Sequence, residues 1–124
     1  MLNRWMRRGV TLSAAVVGLA AATPVPAPIA APVSLTVTNN NFYDMHIYGW
    51  RDGVYQSLGV VNSFSTEKVS VPEFLAAPGA DFRLIADPIG GSGVYASAPI
   101  VVSPGQTVEL RIENSIGLSS VVVR

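Results

Sequence analysis

The sequence predicts an all-β protein: a single Ig-like β-sandwich of seven or eight antiparallel strands behind an N-terminal signal peptide. Three observations carry that expectation. From Val33 onward apolar residues recur with a period of two, and no window of useful length shows helical spacing. Turn-forming clusters (Asn39-Asn40-Asn41, Asp52-Gly53, Asp87 through Gly93, Ser103-Pro104-Gly105-Gln106) interrupt the pattern at the intervals a sandwich or small barrel needs. Ahead of that domain the chain changes character, from basic to apolar to proline-rich.

That leading segment reads as an export signal, expected over residues 1–22. Met1–Arg8 is basic, Gly9–Ala22 is an unbroken run of 14 apolar or small residues, and Ala20-Ala21-Ala22 offers a small-residue cleavage site. The run falls short of the roughly 20 residues a membrane span needs. Residues 23–32 hold four prolines and read as an extended Pro/Ala-rich linker, with Ala22 or Ala30 as cleavage positions. The β-sandwich domain is expected over 33–124. Its expected location is therefore outside the cytoplasm, periplasmic or extracellular, with no stable membrane insertion once the signal is removed.

Charge narrows the partners. Without Arg4, Arg7 and Arg8, five basic residues face eight acidic ones, a formal charge of −3 for the domain. A mildly acidic domain with one lysine has no footprint for nucleic acid or anionic lipid. The chain has no cysteine, which excludes disulfides, thiol chemistry and cysteine-based zinc sites. The fold must be held by packing and hydrogen bonds.

The strands come in order. Val33, Leu35 and Val37 alternate with Ser34, Thr36 and Thr38, and the three asparagines end this first strand because asparagine tolerates left-handed turns. Asp52-Gly53 then closes a two-residue hairpin turn. Pairing Arg51 with Val54 sets Gly49 across from Gln56, Ile47 from Leu58 and Met45 from Val60, an aliphatic face expected in the core. The other face pairs Trp50 with Tyr55, Tyr48 with Ser57, His46 with Gly59 and Asp44 with Val61. Thr66–Val71, Asp81–Ala86, Val94–Ser103, Thr107–Glu113 and Ser120–Arg124 are the remaining expected strands, and residues 73–80 a loop.

Chemistry-bearing residues concentrate in the hairpin. A blue-copper centre needs two histidines and a cysteine, and the chain has one histidine, His46, and no cysteine. Met45 and His46 are adjacent on a strand and point to opposite faces, so they do not make a looser copper pair. Asp44 and His46 share one strand face, where a carboxylate could orient an imidazole, with Ser57 the nearest serine, but no nucleophile elbow surrounds any serine. Gly90-Gly91-Ser92-Gly93 lacks the lysine and following helix of a phosphate loop. Asn39–Asn41 with Asp44 and Asp87 offer oxygen ligands for calcium without the spacing of a known calcium loop. The expectation is a non-enzymatic protein with no catalytic residues, metal or cofactor.

What remains is the aromatic hairpin face: His46, Tyr48, Trp50 and Tyr55. Flat amphipathic rings in the open hold sugars and protein partners, whereas the same rings inside a sheet only add cross-strand packing. These four are the expected ligand-binding residues, for a glycan or a protein. The alternative is a structural subunit of a surface assembly, pairing through an exposed edge strand.

Three segments, Val37–Tyr48, Leu84–Gly91 and Pro99–Ile112, resemble small exported bacterial proteins of β-sandwich type with no assigned activity. The resemblance implies the fold and the export, and it carries over no functional residue.

Overall fold

The computed structural model describes residues 31–124, so the expected signal peptide and all but the last two residues of the expected linker lie outside the described residues. The described chain forms an all-β sandwich of two sheets. In chain order the strands are β1 (Ser34–Asn39), β2 (Met45–Arg51), β3 (Val54–Val61), β4 (Ser65–Ser70), β5 (Asp81–Pro88), β6 (Tyr95–Ala96), β7 (Ile100–Val101), β8 (Thr107–Ile112) and β9 (Ser120–Val123). A 3-10 turn, Ile116–Leu118, precedes β9. One sheet has the order β9-β8-β1-β4. The other has the order β3-β2-β5-β6, with β7 also paired to β5. Among the described residues no helix is long and apolar enough to cross a membrane.

The period-two pattern explains the core. Leu35 and Val37 of β1 and Val108, Leu110 and Ile112 of β8 face Met45 and Ile47 of β2 and Phe82, Leu84 and Ala86 of β5 across one buried cluster. β1 runs parallel to β8 and antiparallel to β4, so the first strand is central in its sheet. The expected strand at Val94–Ser103 is two short ones. Between them Ser97 patches the break: its N–H donates to the Leu84 carbonyl (2.9 Å) and its Oγ accepts from the Leu84 N–H (3.0 Å). Ser97→Ala leaves that buried N–H unpaired, with an expected loss of about 1–3 kcal/mol, measurable by denaturant unfolding.

The hairpin register holds at its tip and slips at its base. Arg51–Val54, Trp50–Tyr55, Gly49–Gln56 and Tyr48–Ser57 pair as expected, and Asp52 and Gly53 both take the positive φ (50° and 78°) of the tight turn. Ile47 then pairs with Gly59, His46 with Val60 and Met45 with Val61. The extra residue, Leu58, is a β-bulge. Gly59 takes φ 143°, a backbone conformation that side chains with a Cβ rarely adopt. The slip reverses the facing of the strand beyond the bulge, as a one-residue shift must. Val60, expected in the core, is 46% exposed, Val61 is fully buried instead, and Leu58 packs only partly against the core.

Gly49 has a different reason. It faces inward, and a Cβ there would run into Leu75, which the 71–80 loop drives into the core as a fully buried plug. The loop is pinned from outside by Arg51, whose guanidinium donates to the Phe74 carbonyl and lies 5.4 Å from the Phe74 ring centroid.

At the other end Asn39–Asn41 act as a clamp. Asn39 is fully buried, its Nδ2 donates to the carbonyls of Tyr43 (2.9 Å), Val61 (3.2 Å) and Asn62 (3.2 Å), and its Oδ1 accepts from the Asn41 N–H (2.9 Å). Asn41 Nδ2 reaches the carbonyls of Glu113 and Asn114, both 3.1 Å away. Asp44 joins two further loops, its Oδ1 accepting from the Ser63 N–H (2.8 Å) and its carbonyl from the Ile89 N–H (2.8 Å). One corner therefore fixes the four loops at this end.

Candidate functional site

The outward face of the β3-β2-β5-β6 sheet gathers the four expected ligand-binding residues. On β2 the pleat buries Met45, Ile47 and Gly49 and turns His46, Tyr48 and Trp50 to the other side. Tyr55 on β3 is the Cα partner of Trp50, is 65% exposed, and sets its ring 6.5 Å from the indole at 59°. Trp50 is half-buried, and the two rings are tilted against each other rather than coplanar.

His46 and Tyr48 stack, with centroids 4.2 Å apart and planes at 23°. The imidazole sits in a chain of hydroxyls: Nδ1 lies 3.0 Å from the Tyr48 hydroxyl and Nε2 2.7 Å from the Ser57 hydroxyl. Asp44, which the spacing allowed as an orienting carboxylate for His46, is turned to the Ser63 backbone instead, because it caps the loop after β3. The imidazole is oriented by a phenol. It fixes the Tyr48 ring on the sheet and leaves two hydroxyls at the surface that can act as donor or acceptor.

Strand order adds residues that spacing along the chain could not supply. β5 lies beside β2, placing Arg83 opposite Trp50, Ile85 opposite Tyr48 and Asp87 opposite His46. β6 then sets Ala96 opposite Ile85. Tyr48, Tyr55, Ile85, Asp87, Val94 and Ala96 line a depression of about 440 Å³ on this face. Of the four expected residues, Tyr48 and Tyr55 line it, and Trp50 and His46 flank it. The one sequence signal for the added group was the alternation in β5, which puts Arg83, Ile85 and Asp87 opposite the buried Phe82, Leu84 and Ala86. A second depression, of about 220 Å³, lies where Ala31 and Pro32 lead into β1. Its lining is proline, alanine and valine with Glu73, and it has no aromatic ring.

Three of the oxygens considered for calcium hold backbone groups instead, while Asp87 lies apart at the end of β5. Asn39 Oδ1, Asn41 Oδ1 and Asp44 Oδ1 each accept a backbone N–H, from Asn41, Tyr43 and Ser63 in turn. Among the described residues no group of three or more His, Asp or Glu side chains is placed to hold a metal ion.

Two tyrosines therefore form the walls of an open depression, with apolar side chains on its floor, one carboxylate, and a hydroxyl–imidazole–hydroxyl chain at its edge. Such a surface can stack a flat or apolar ligand face and hydrogen-bond the groups around it. No family model, curated protein or solved structure matched this chain, so the reading of the site stands on its geometry.

Proposed function

We propose that this is an exported, Ig-like, non-enzymatic binding module that holds a glycan or a protein segment across the outward face of the β3-β2-β5-β6 sheet. The observation that carries the reading is the convergence of Tyr48, Trp50, Tyr55 and His46 on one solvent-facing surface, with Tyr48 and Tyr55 walling a depression. Rings held by cross-strand pairing and a hydrogen-bonded imidazole are already ordered, so a ligand that stacks on them orders little more.

Strand addition, the alternative, finds less support. β4 is an outer strand whose exposed Glu67 and Lys68 blunt pairing, and exposed valines lie on the outer strands β9 (Val122, Val123) and β3 (Val54, Val60), the second of which already carries Tyr55 of the proposed binding face.

Trp50 is the only tryptophan among the described residues and reports on this face directly. Titration with cello- and chito-oligosaccharides and with short aromatic peptides is expected to change its emission saturably for at least one ligand class. Replacing both rings, Tyr48→Ala with Tyr55→Ala, is expected to weaken that ligand at least about tenfold, the scale of losing stacked aromatic contacts. A saturable ligand whose affinity is unchanged in the double variant would place binding elsewhere.

A further inference from the structure

The depression has one charged lining residue, and it is unpartnered. Asp87 is half-buried at the end of β5, and its carboxylate makes no hydrogen bond or ion pair with another described residue. Its neighbours in the lining are the Tyr48 and Tyr55 rings and the apolar side chains of Ile85, Val94 and Ala96, none of which carries a positive charge. The one cation facing outward from the same strand, Arg83, donates its Nη1 to the Ser97 carbonyl at 3.1 Å and does not line the depression.

We propose that the depression takes the ammonium head of an organic cation, seated between the Tyr48 and Tyr55 rings with the Asp87 carboxylate as its counter-charge. This rests on the binding face proposed above and specifies what it holds. Charge complementarity selects the occupant. The faces of aromatic rings are negative and attract cations, and a single carboxylate completes the pairing. A hydrated metal ion would need several more oxygen ligands than one carboxylate supplies. An alkylammonium carries its charge on an apolar surface, which suits a lining that includes Ile85, Val94 and Ala96. The same chemistry is offered by a quaternary head such as choline and by a primary amine such as an amino sugar or a lysine side chain.

The test is calorimetric titration of the protein with choline, with glucosamine, and with the uncharged isostere of choline in which carbon replaces nitrogen. At least one of the two cations is expected to bind about tenfold or more tightly than the isostere. Choline alone identifies a quaternary head, and glucosamine alone a primary amine. Asp87→Asn, a conservative change on an outward face, is expected to reduce the cation's advantage over the isostere to about twofold or less. Equal binding of cation and isostere, no binding of either cation, or an advantage that survives Asp87→Asn would overturn the proposal. Neutral oligosaccharides that bind through Tyr48 and Tyr55 while both cations fail would overturn this inference and leave the binding face standing.

Discussion

Asn39→Asp is expected to destabilise the protein by roughly 3–5 kcal/mol at neutral pH, the scale of leaving buried polar groups uncompensated. The change is isosteric, so packing is not the cause. In the parent, the Asn39 amide gives its two hydrogens to three carbonyls, those of Tyr43, Val61 and Asn62, at a site with no solvent exposure. A carboxylate in that place turns oxygen lone pairs toward three oxygens, and the corner joining β1, β2 and the loop after β3 loses its common donor. The penalty is expected to depend on pH with a defined sign. Burial against carbonyls raises the new carboxyl's folded-state value above the roughly 3.9 of an unfolded aspartate. The native state then binds more protons, so the deficit is smallest below the unfolded value and grows as pH rises through the folded one. Chemical denaturation at acid and neutral pH measures both. A variant as stable as the parent at pH 7 would mean that the asparagine corner does not hold the loops.

Phe82→Ala is the second large loss, about 3–5 kcal/mol, as for other fully buried phenylalanines. Phe82 is 1% exposed, is the bulkiest of the fully buried side chains, and lies on β5 opposite Ile100 of β7. Removing the ring opens a cavity between the sheets beneath the strand that carries Asp87 and Ile85. Phe64 provides the contrast. It is 71% exposed at the turn before β4, and Phe64→Ala is expected to change stability by no more than about 0.5 kcal/mol. Urea unfolding of the two variants tests the core assignment at constant chemistry. Similar midpoints for both would contradict the packing.

Much of this architecture is legible in the amino-acid order because the pleat leaves a period-two record. Leu35 and Val37, Phe82, Leu84 and Ala86, and Val108, Leu110 and Ile112 are all expected inside from alternation alone, and all are buried. The hairpin turn was legible from Asp52-Gly53. The bulge was not, because a glycine inside a strand is compatible with regular pairing, and only the observed register shows that Leu58 is the extra residue. The parallel pairing of β1 with β8 and the position of β5 beside β2 are long-range choices without a local signature. Leu75 was hidden for a related reason: a loop residue becomes core only when a facing glycine, Gly49, makes room for it.

The same division runs through the candidate site. Tyr48, Trp50, Tyr55 and His46 share a face through hairpin register, a short-range property, and could be grouped from sequence. Ile85, Asp87, Val94 and Ala96 join them only through strand order. Asp44 shows the limit of spacing. It stands two residues from His46, yet it caps a loop, and the imidazole takes its hydrogen bonds from Tyr48 and Ser57.

Binding is proposed on the outward face of the β3-β2-β5-β6 sheet. Backbone amide chemical-shift mapping during titration with choline, glucosamine and a chito-oligosaccharide tests it most directly. Saturable shifts are expected at Tyr48, Trp50, Tyr55, Ile85, Asp87 and Val94, with the β9-β8-β1-β4 sheet undisturbed. Saturable shifts that cluster on that other sheet, or around the Ala31–Val33 end, would contradict it.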